Sequence, residues 1–445
     1  MEKHSKLGNF IKALIIIVIA VLTVIVLSNV LVLKSEDGIN QMQALYKQPE
    51  DSIDVIFTGS SLVYCNICPG VLWDNYGIAS FDLGGAEAPA WVTYYMLKEA
   101  LKTQHPKVIF YEVSIAALYP EPYQVEEWAS DNNYGMKWNS NRLEQLRLNS
   151  GEDDYRFRLN PFNIMHGRYR DLDENDFRNV RDSADYKGFD PREAVVETDT
   201  PDVSGVTDAI PCTEKAEEYT RKIIELGKSE GIEVVLFVAP RDIEEEDMKI
   251  CNYMGKIAES EGVEFINFNL KYDEIGLDFS KDMSTGSHLG YSGNYKFSDY
   301  LGKIIKEKYD IPDNRGNSKY DSWERDAEYS RYERNDLKIQ MCDNATDVLS
   351  LTEKGYILFA VDNGNVSVFV DNEAVAGQVT DGSFDMPIRL PFSYGGDTFL
   401  IKSYVDDGNP MISLFVNDSE NMEYYGNIIF VYDAVRHEYI RSVYF

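Results

Sequence analysis

Residues Ile53–Tyr64 read IDVIFTGSSLVY. Apolar and β-branched residues run straight into Gly-Ser-Ser, the pattern of a buried strand that stops at a tight turn. An open α/β sheet presents its ligands at the carboxyl ends of its strands, so a serine at that turn stands where chemistry is done. A hydroxyl is nonetheless a poor nucleophile until a base takes its proton. The stretch therefore raises two questions: whether the rest of the chain builds such a sheet, and where a base would come from.

Four further runs share its character. ASFDL ends at Leu83, KVIFYEV spans Lys107–Val113, IEVVLFV spans Ile232–Val238 and VEFINFN spans Val263–Asn269. Near-continuous apolar runs of this length suit strands covered on both faces, hence a parallel sheet. Between them, Val92, Tyr95, Met96 and Ala100 share one helical face, as do Ala216, Tyr219, Ile223 and Leu226. Alternating strands and helices predict a doubly wound, mostly parallel α/β domain over residues 51–312. Residues 119–206 are polar and break the rhythm, reading as an insertion with irregular or helical pieces over the site. A charged helical linker is expected at 313–341. From 342 to 445, short strands separated by Asn, Asp and Gly turns predict an all-β domain.

The amino terminus adds a tether. Ala13–Leu33 is a 21-residue uncharged run, and a helix of ~20 residues spans a bilayer core. Lys3, Lys6 and Lys12 precede it, whereas Glu36 and Asp37 follow Lys34. The positive-inside bias places residues 1–12 in the cytoplasm, 13–33 in the membrane, and the stalk 34–50 and everything beyond it outside. The run is long for a cleaved signal peptide, and no A-x-A-like site follows it. The net charge of -32 repels phosphodiester backbones and argues against nucleic-acid binding. Five cysteines are too few for a disulfide scaffold. The isolated Cys65-Asn-Ile-Cys68 pair reads as a local disulfide or two buried thiols. No metal is implied, because the five histidines are scattered.

One of those histidines lies in DMSTGSHLGYSGNYKFSDYLGKII, Asp282–Ile305. His288 sits in a loop rich in Ser, Thr and Gly before an amphipathic helix, for which Ser292 is the expected N-cap. The combination of strand-GSSL, FDLGGAEAP and HL-x-x-S-G-x-x-K resembles the SGNH/GDSL hydrolase superfamily. It is closest to the membrane-anchored, envelope-modifying branch, which includes the D-alanyl transfer protein of teichoic acid and the alginate O-acetylation proteins. The resemblance covers roughly residues 51–309 and implies a flavodoxin-like three-layer fold. It assigns Ser61, not Ser60, as nucleophile and His288 as base, with the N–H groups of Ser61 and Gly84 holding the oxyanion. The stretch Leu159–Phe177 resembles an insertion of bacterial members, with His166 and Arg168 at its centre and structural packing as their expected role.

Two positions depart from the pattern. The usual Asp three residues before the histidine is Thr285, so Asp282 would have to swing in, or else a Ser-His dyad or a carbonyl must orient the ring. The Gly-x-Asn-Asp block is absent after the third strand, where YEVSIAAL stands. The resemblance implies an extracytoplasmic esterase or O-acyltransferase on a cell-envelope polysaccharide or related polymer. Such an enzyme would pass through an acyl-Ser61 intermediate, need no diffusible cofactor and work beside a membrane-bound O-acyltransferase. The competing expectation is a catalytically decayed envelope module that binds glycan or a protein partner. GNIIFVYDAVRHEYIRSVYF also resembles the closing hairpin of lectin-like interleukin-like EMT inducer domains, with Tyr424, Tyr425 and Tyr432 as candidate sugar-stacking residues.

Overall fold

Val55, Ile56 and Phe57 are all fully buried, yet they point into different cores. Ile56 packs with Phe81, Ile109, Leu236 and Met96, while Val55 and Phe57 pack with Phe110, Val235, Phe237 and Phe297. A strand can fill two cores only when helices cover both faces of its sheet. The structure, a computed structural model, describes residues 2–32, 37–118, 126–172, 175–177, 186–192, 194–380 and 387–445. The expected start of the insertion at Tyr119 and the first stalk residues, 34–36, lie outside them.

The sheet contains β1 (Val55–Gly59), β2 (Ser80–Gly84), β3 (Val108–Glu112), β4 (Glu233–Val238) and β5 (Glu264–Asn267), in the order β2-β1-β3-β4-β5. All four pairings are parallel. Helices Ala90–Ala100, Glu214–Ser229 and Glu245–Glu261 cover one face, and Pro69–Tyr76 and Tyr291–Lys308 cover the other. In this order the chain moves from β1 outward to β2 and then returns across to β3. The direction of winding thus reverses beside β1, and a crevice opens there at the carboxyl ends.

The insertion is largely helical in its described parts, including Glu126–Tyr134, Ser140–Arg158 and Pro161–Met165. It grips the end of the long N-terminal helix, Glu2–Leu31. Arg168 donates to the Leu31 carbonyl at 2.5 Å and pairs with Asp176 at 2.8 Å, and the Ser28 hydroxyl lies 2.7 Å from Asn160 Oδ1. Gly8–Leu31 of that helix has a mean hydropathy of 3.2 over its most apolar window and is long enough to cross a membrane.

Residues 1–327 and 328–445 form two compact units, and the boundary falls inside the helix Asp321–Gln340. The second unit is antiparallel throughout. One sheet holds β9 (Arg389–Tyr394), β10 (Asp397–Asp406), β11 (Asn409–Val416) and β12 (Ser419–Tyr424). The other holds β6 (Tyr356–Asp362), β7 (Asn365–Val370), β8 (Glu373–Gln378), β13 (Ile428–Asp433) and β14 (Glu438–Tyr444). Phe359, Val368 and Phe430 from one sheet meet Phe399, Ile412 and Leu414 from the other, so the unit is a β-sandwich. Tyr432 is fully buried in that core and its hydroxyl bonds Asp397 at 2.6 Å, which removes it from the candidate sugar-stacking residues; Tyr424 is 67% exposed. None of the five cysteines is in a disulfide, and the alternatives left open for Cys65 and Cys68 resolve to two buried thiols.

Candidate active site

The two serines after β1 do different jobs. Gly59 has φ +148°, and a Cβ there would stand 2.9 Å from the Glu112 Cβ and carbonyl, so the turn requires glycine. Ser60 is buried and caps the short helix Ser61–Tyr64, accepting the Leu62 N–H at 3.3 Å. Ser61 is the first residue of that turn, is half-buried and lines a cleft at the carboxyl ends of the strands. Its N–H, first in the helix, has no intrahelical acceptor.

The partner comes from 227 residues away. His288 Nε2 lies 2.8 Å from Ser61 Oγ, and Nδ1 lies 2.8 Å from the carbonyl of Thr285. A carbonyl only accepts, so Nδ1 carries the proton and Nε2 is left to accept the Ser61 hydroxyl. This is the tautomer a general base needs. The backbone between Thr285 and His288 is bent hard to aim that carbonyl. Gly286 has φ +68° and Ser287 φ +60°, and a Cβ on Gly286 would stand 3.1 Å from Nδ1. The loop is closed behind them, with Ser284 N donating to His288 O and Gly290 N to Asp282 O, both at 2.8 Å. Asn66 Oδ1 accepts the Leu289 N–H at 3.0 Å, fastening the loop to the serine's own turn. Burial pushes the His288 imidazole below its ordinary value. The Thr285 hydrogen bond works the other way, and the Arg192 charge adds to the lowering.

Asp282 does not reach the imidazole. It is fully buried, its carboxylate holding Lys296 Nζ at 2.6 Å and the Asp278 N–H at 2.7 Å. The loop does not bulge to deliver it because Asp282 already anchors the base of the loop. The helix beyond the loop begins at Tyr291 with Gly290 at its N-cap, so Ser292 falls inside the helix instead of capping it. Gly84 ends β2 opposite Gly59. A Cβ there would stand 2.8 Å from the Ser60 carbonyl and the Tyr64 ring, so the backbone lies directly against the serine turn. Glu112, at the end of β3, is buried and accepts from the Ser114 hydroxyl and the Ser114 and Ala239 amides, bracing the loops after β3 and β4. His166 Nδ1 lies 3.2 Å from the Asn163 carbonyl and its ring lies 5.9 Å from that of Phe162, both contacts within the insertion.

Ser61 and His288 open onto a cleft of about 280 Å³ lined also by Asp37, Glu87, Trp128, Arg192 and Arg241. Residues following β1, β2, β3 and β4 all contribute, as the switch-point rule requires. Asp37 pairs with Arg192 at 3.2 Å and accepts the Tyr64 hydroxyl at 2.8 Å. Glu87 sits at φ +42°, and burial pushes its carboxyl up to about 7. None of these four charged residues stood out in the sequence. Arg241 alone had a signal, its place just past the carboxyl end of an apolar strand. Among the described residues, no three His, Cys, Asp or Glu side chains are grouped to hold a metal ion.

No family model and no curated protein matches this chain. Among solved structures, a candidate acylhydrolase from Bacteroides fragilis matches 60% of this chain and 93% of its own, at 10% identity and a TM-score of 0.31. A gut microbial diltiazem-metabolizing enzyme matches 83% of this chain and 57% of its own, at 10% identity and a TM-score of 0.23. Likeness at that level does not bear on the chemistry of the cleft.

Proposed function

We propose that this chain is an SGNH-type serine esterase or O-acyltransferase, held at the outer face of the cell membrane by its N-terminal helix and acting on an ester of a cell-envelope polysaccharide or related polymer. The observation that carries the reading is the 2.8 Å contact between Ser61 Oγ and His288 Nε2, with the opposite ring nitrogen already fixed as a donor. As Oγ attacks the ester carbonyl, Nε2 takes its proton. The tetrahedral oxyanion then rests on the N–H groups of Ser61 and Gly84. Collapse expels the alcohol, which receives the proton from the imidazolium, and leaves acyl-Ser61. A water or a sugar hydroxyl, deprotonated in turn by Nε2, attacks that ester and regenerates the serine. With a sugar acceptor the enzyme works beside a membrane-bound O-acyltransferase that supplies the acyl group. The lysines before the apolar helix support the outward orientation of the body.

The test uses the full chain in detergent with p-nitrophenyl acetate. Wild type is expected to release p-nitrophenol and to carry an acetyl group on the peptide containing Ser61. Ser61→Ala is expected to lose at least about 10³-fold in kcat/KM. Equal turnover by the two proteins would sink the serine mechanism.

A further inference from the structure

Two guanidinium groups line the cleft beside the reactive pair in a protein whose net charge is -32. Cations so placed against the general charge call for a local reason. Arg241 is held as a built element. Its N–H donates to Asn269 Oδ1 at 3.0 Å, its carbonyl accepts the Tyr272 hydroxyl at 2.9 Å, and one guanidinium nitrogen lies 2.7 Å from Asp247. The residue is only 7% exposed, and its Nε–H has no acceptor among the described residues. Stapling the loop to Asp247 does not require the side chain to line the cleft, and it leaves that donor unsatisfied.

Arg192 faces the same space from the end of the segment 186–192. Each guanidinium has a carboxylate partner, Asp247 for Arg241 and Asp37 for Arg192, but each pairing engages one terminal nitrogen and leaves the Arg241 Nε–H unused among the described residues. Asp37 is shared between Arg192 and the Tyr64 hydroxyl, and the Glu87 carboxyl, pushed up to about 7 by burial, is only partly ionised near neutrality. Guanidinium groups present flat forks of donors that match carboxylate and phosphate oxygens two at a time. A cleft of about 280 Å³ leaves room for a short acyl group and one such anion.

We propose that Arg241 and Arg192 form an anion subsite, so that the preferred substrate carries a carboxylate or phosphate close to its reacting ester. This rests on the serine-esterase reading above and narrows its substrate class. On binding, the anion takes the open donors of Arg241 and competes with Asp37 for Arg192.

The experiment compares p-nitrophenyl acetate with the p-nitrophenyl hemisuccinate, using the full chain in detergent. Arg241→Gln is expected to lower the ratio of kcat/KM for the anionic ester over the neutral one by about tenfold or more, as befits one lost charge-assisted contact. Arg192→Gln, at a more exposed position, is expected to move the ratio the same way and serves where Arg241→Gln fails to fold. Inhibition of the neutral reaction by succinate against that by inorganic phosphate tells which anion fits. Ratios unchanged in every folded variant would overturn the subsite, whatever happens to the absolute rates. If Ser61→Ala shows that turnover does not depend on the serine, calorimetry decides separately. Saturable binding of succinate or phosphate to the Ser61→Ala protein, lost when Arg241→Gln is added, supports the subsite; no saturable binding of either anion overturns it.

Discussion

His288 of the α/β unit and His437 of the β-sandwich each commit Nδ1 to an oxygen, but the oxygens and their settings differ. His437 lies between β13 and β14, and its Nδ1 is 2.6 Å from a carboxylate oxygen of Asp397. The Tyr432 hydroxyl and the Asn417 amide bond the same carboxylate. That is the histidine-carboxylate pairing expected of a catalytic triad, in a place where, among the described residues, no serine stands at the other ring nitrogen. His288 has only a backbone carbonyl behind it, yet its free nitrogen meets a hydroxyl at the mouth of a cleft. What stands at the second nitrogen, and whether a substrate can reach it, separates a base from a brace. In the sandwich the carboxylate ties the β13–β14 turn to the first residue of β10, joining one sheet to the other.

Substitution of each histidine by glutamine breaks this comparison most sharply. Amide nitrogen can donate but cannot take a proton at neutral pH, so His288→Gln is expected to lose at least about 10³-fold in kcat/KM on a simple ester. His437→Gln is expected to keep the rate within about twofold and to lower the unfolding free energy by on the order of 1 kcal/mol, since the ring is half exposed. Rate assays with thermal melts on both variants check the pair. A large rate loss in His437→Gln would mean that the sandwich takes part in the chemistry.

The sequence carried the parts of this arrangement that depend on local pattern. β1 to β5 could be read because strands buried on two faces leave uninterrupted apolar runs, and Gly59-Ser60-Ser61 could be read because a strand cannot turn that tightly without glycine. His288 was readable from its place in a polar loop ahead of a periodic helix. The orientation of Asp282 was not, since whether a loop bulges depends on partners such as Lys296, fourteen residues on. Gly290 displaced Ser292 as the helix cap for a similar reason, because its N–H is taken by the Asp282 carbonyl. Arg192 and Asp37 meet across 155 positions, and nothing in either neighbourhood announces it. Tyr432 was misread because β13 is covered on both faces, Phe430 and Tyr432 packing into one core and Ile429 and Val431 into another, and that double cover comes from distant elements which the strand's own residues do not state.

Asp282→Asn sharpens the same contrast at the α/β end. In a serine protease triad the equivalent change costs about 10⁴ in rate. Here the carboxylate serves the loop and not the ring, so the rate is expected to stay within about tenfold of wild type. The damage should appear instead as about 2 kcal/mol of lost stability, because a buried carboxylate paired with a partly exposed lysine is being weakened. Chemical denaturation beside the rate assay reads both. A loss of several thousandfold in rate without unfolding would place Asp282 on the imidazole during turnover.

The smallest effect is also the most specific. A carboxylate behind Nδ1 stabilises imidazolium and raises the base, whereas His288 is lowered, chiefly by burial and further by the Arg192 charge, with the Thr285 carbonyl only partly opposing. A base works in its neutral form, so a lowered value keeps it active as the pH falls below 6.5. The acid limb of kcat/KM against pH is therefore expected below 6.5 in wild type. Glu87, pushed up to about 7, titrates nearby and lines the same cleft, so the profile is to be repeated with Glu87→Gln. An acid limb that stays below 6.5 in both proteins belongs to His288 held by a carbonyl. A limb above 6.5 that survives Glu87→Gln would mean that a carboxylate stands behind the ring in the working enzyme, and the distinction between the two histidines would collapse.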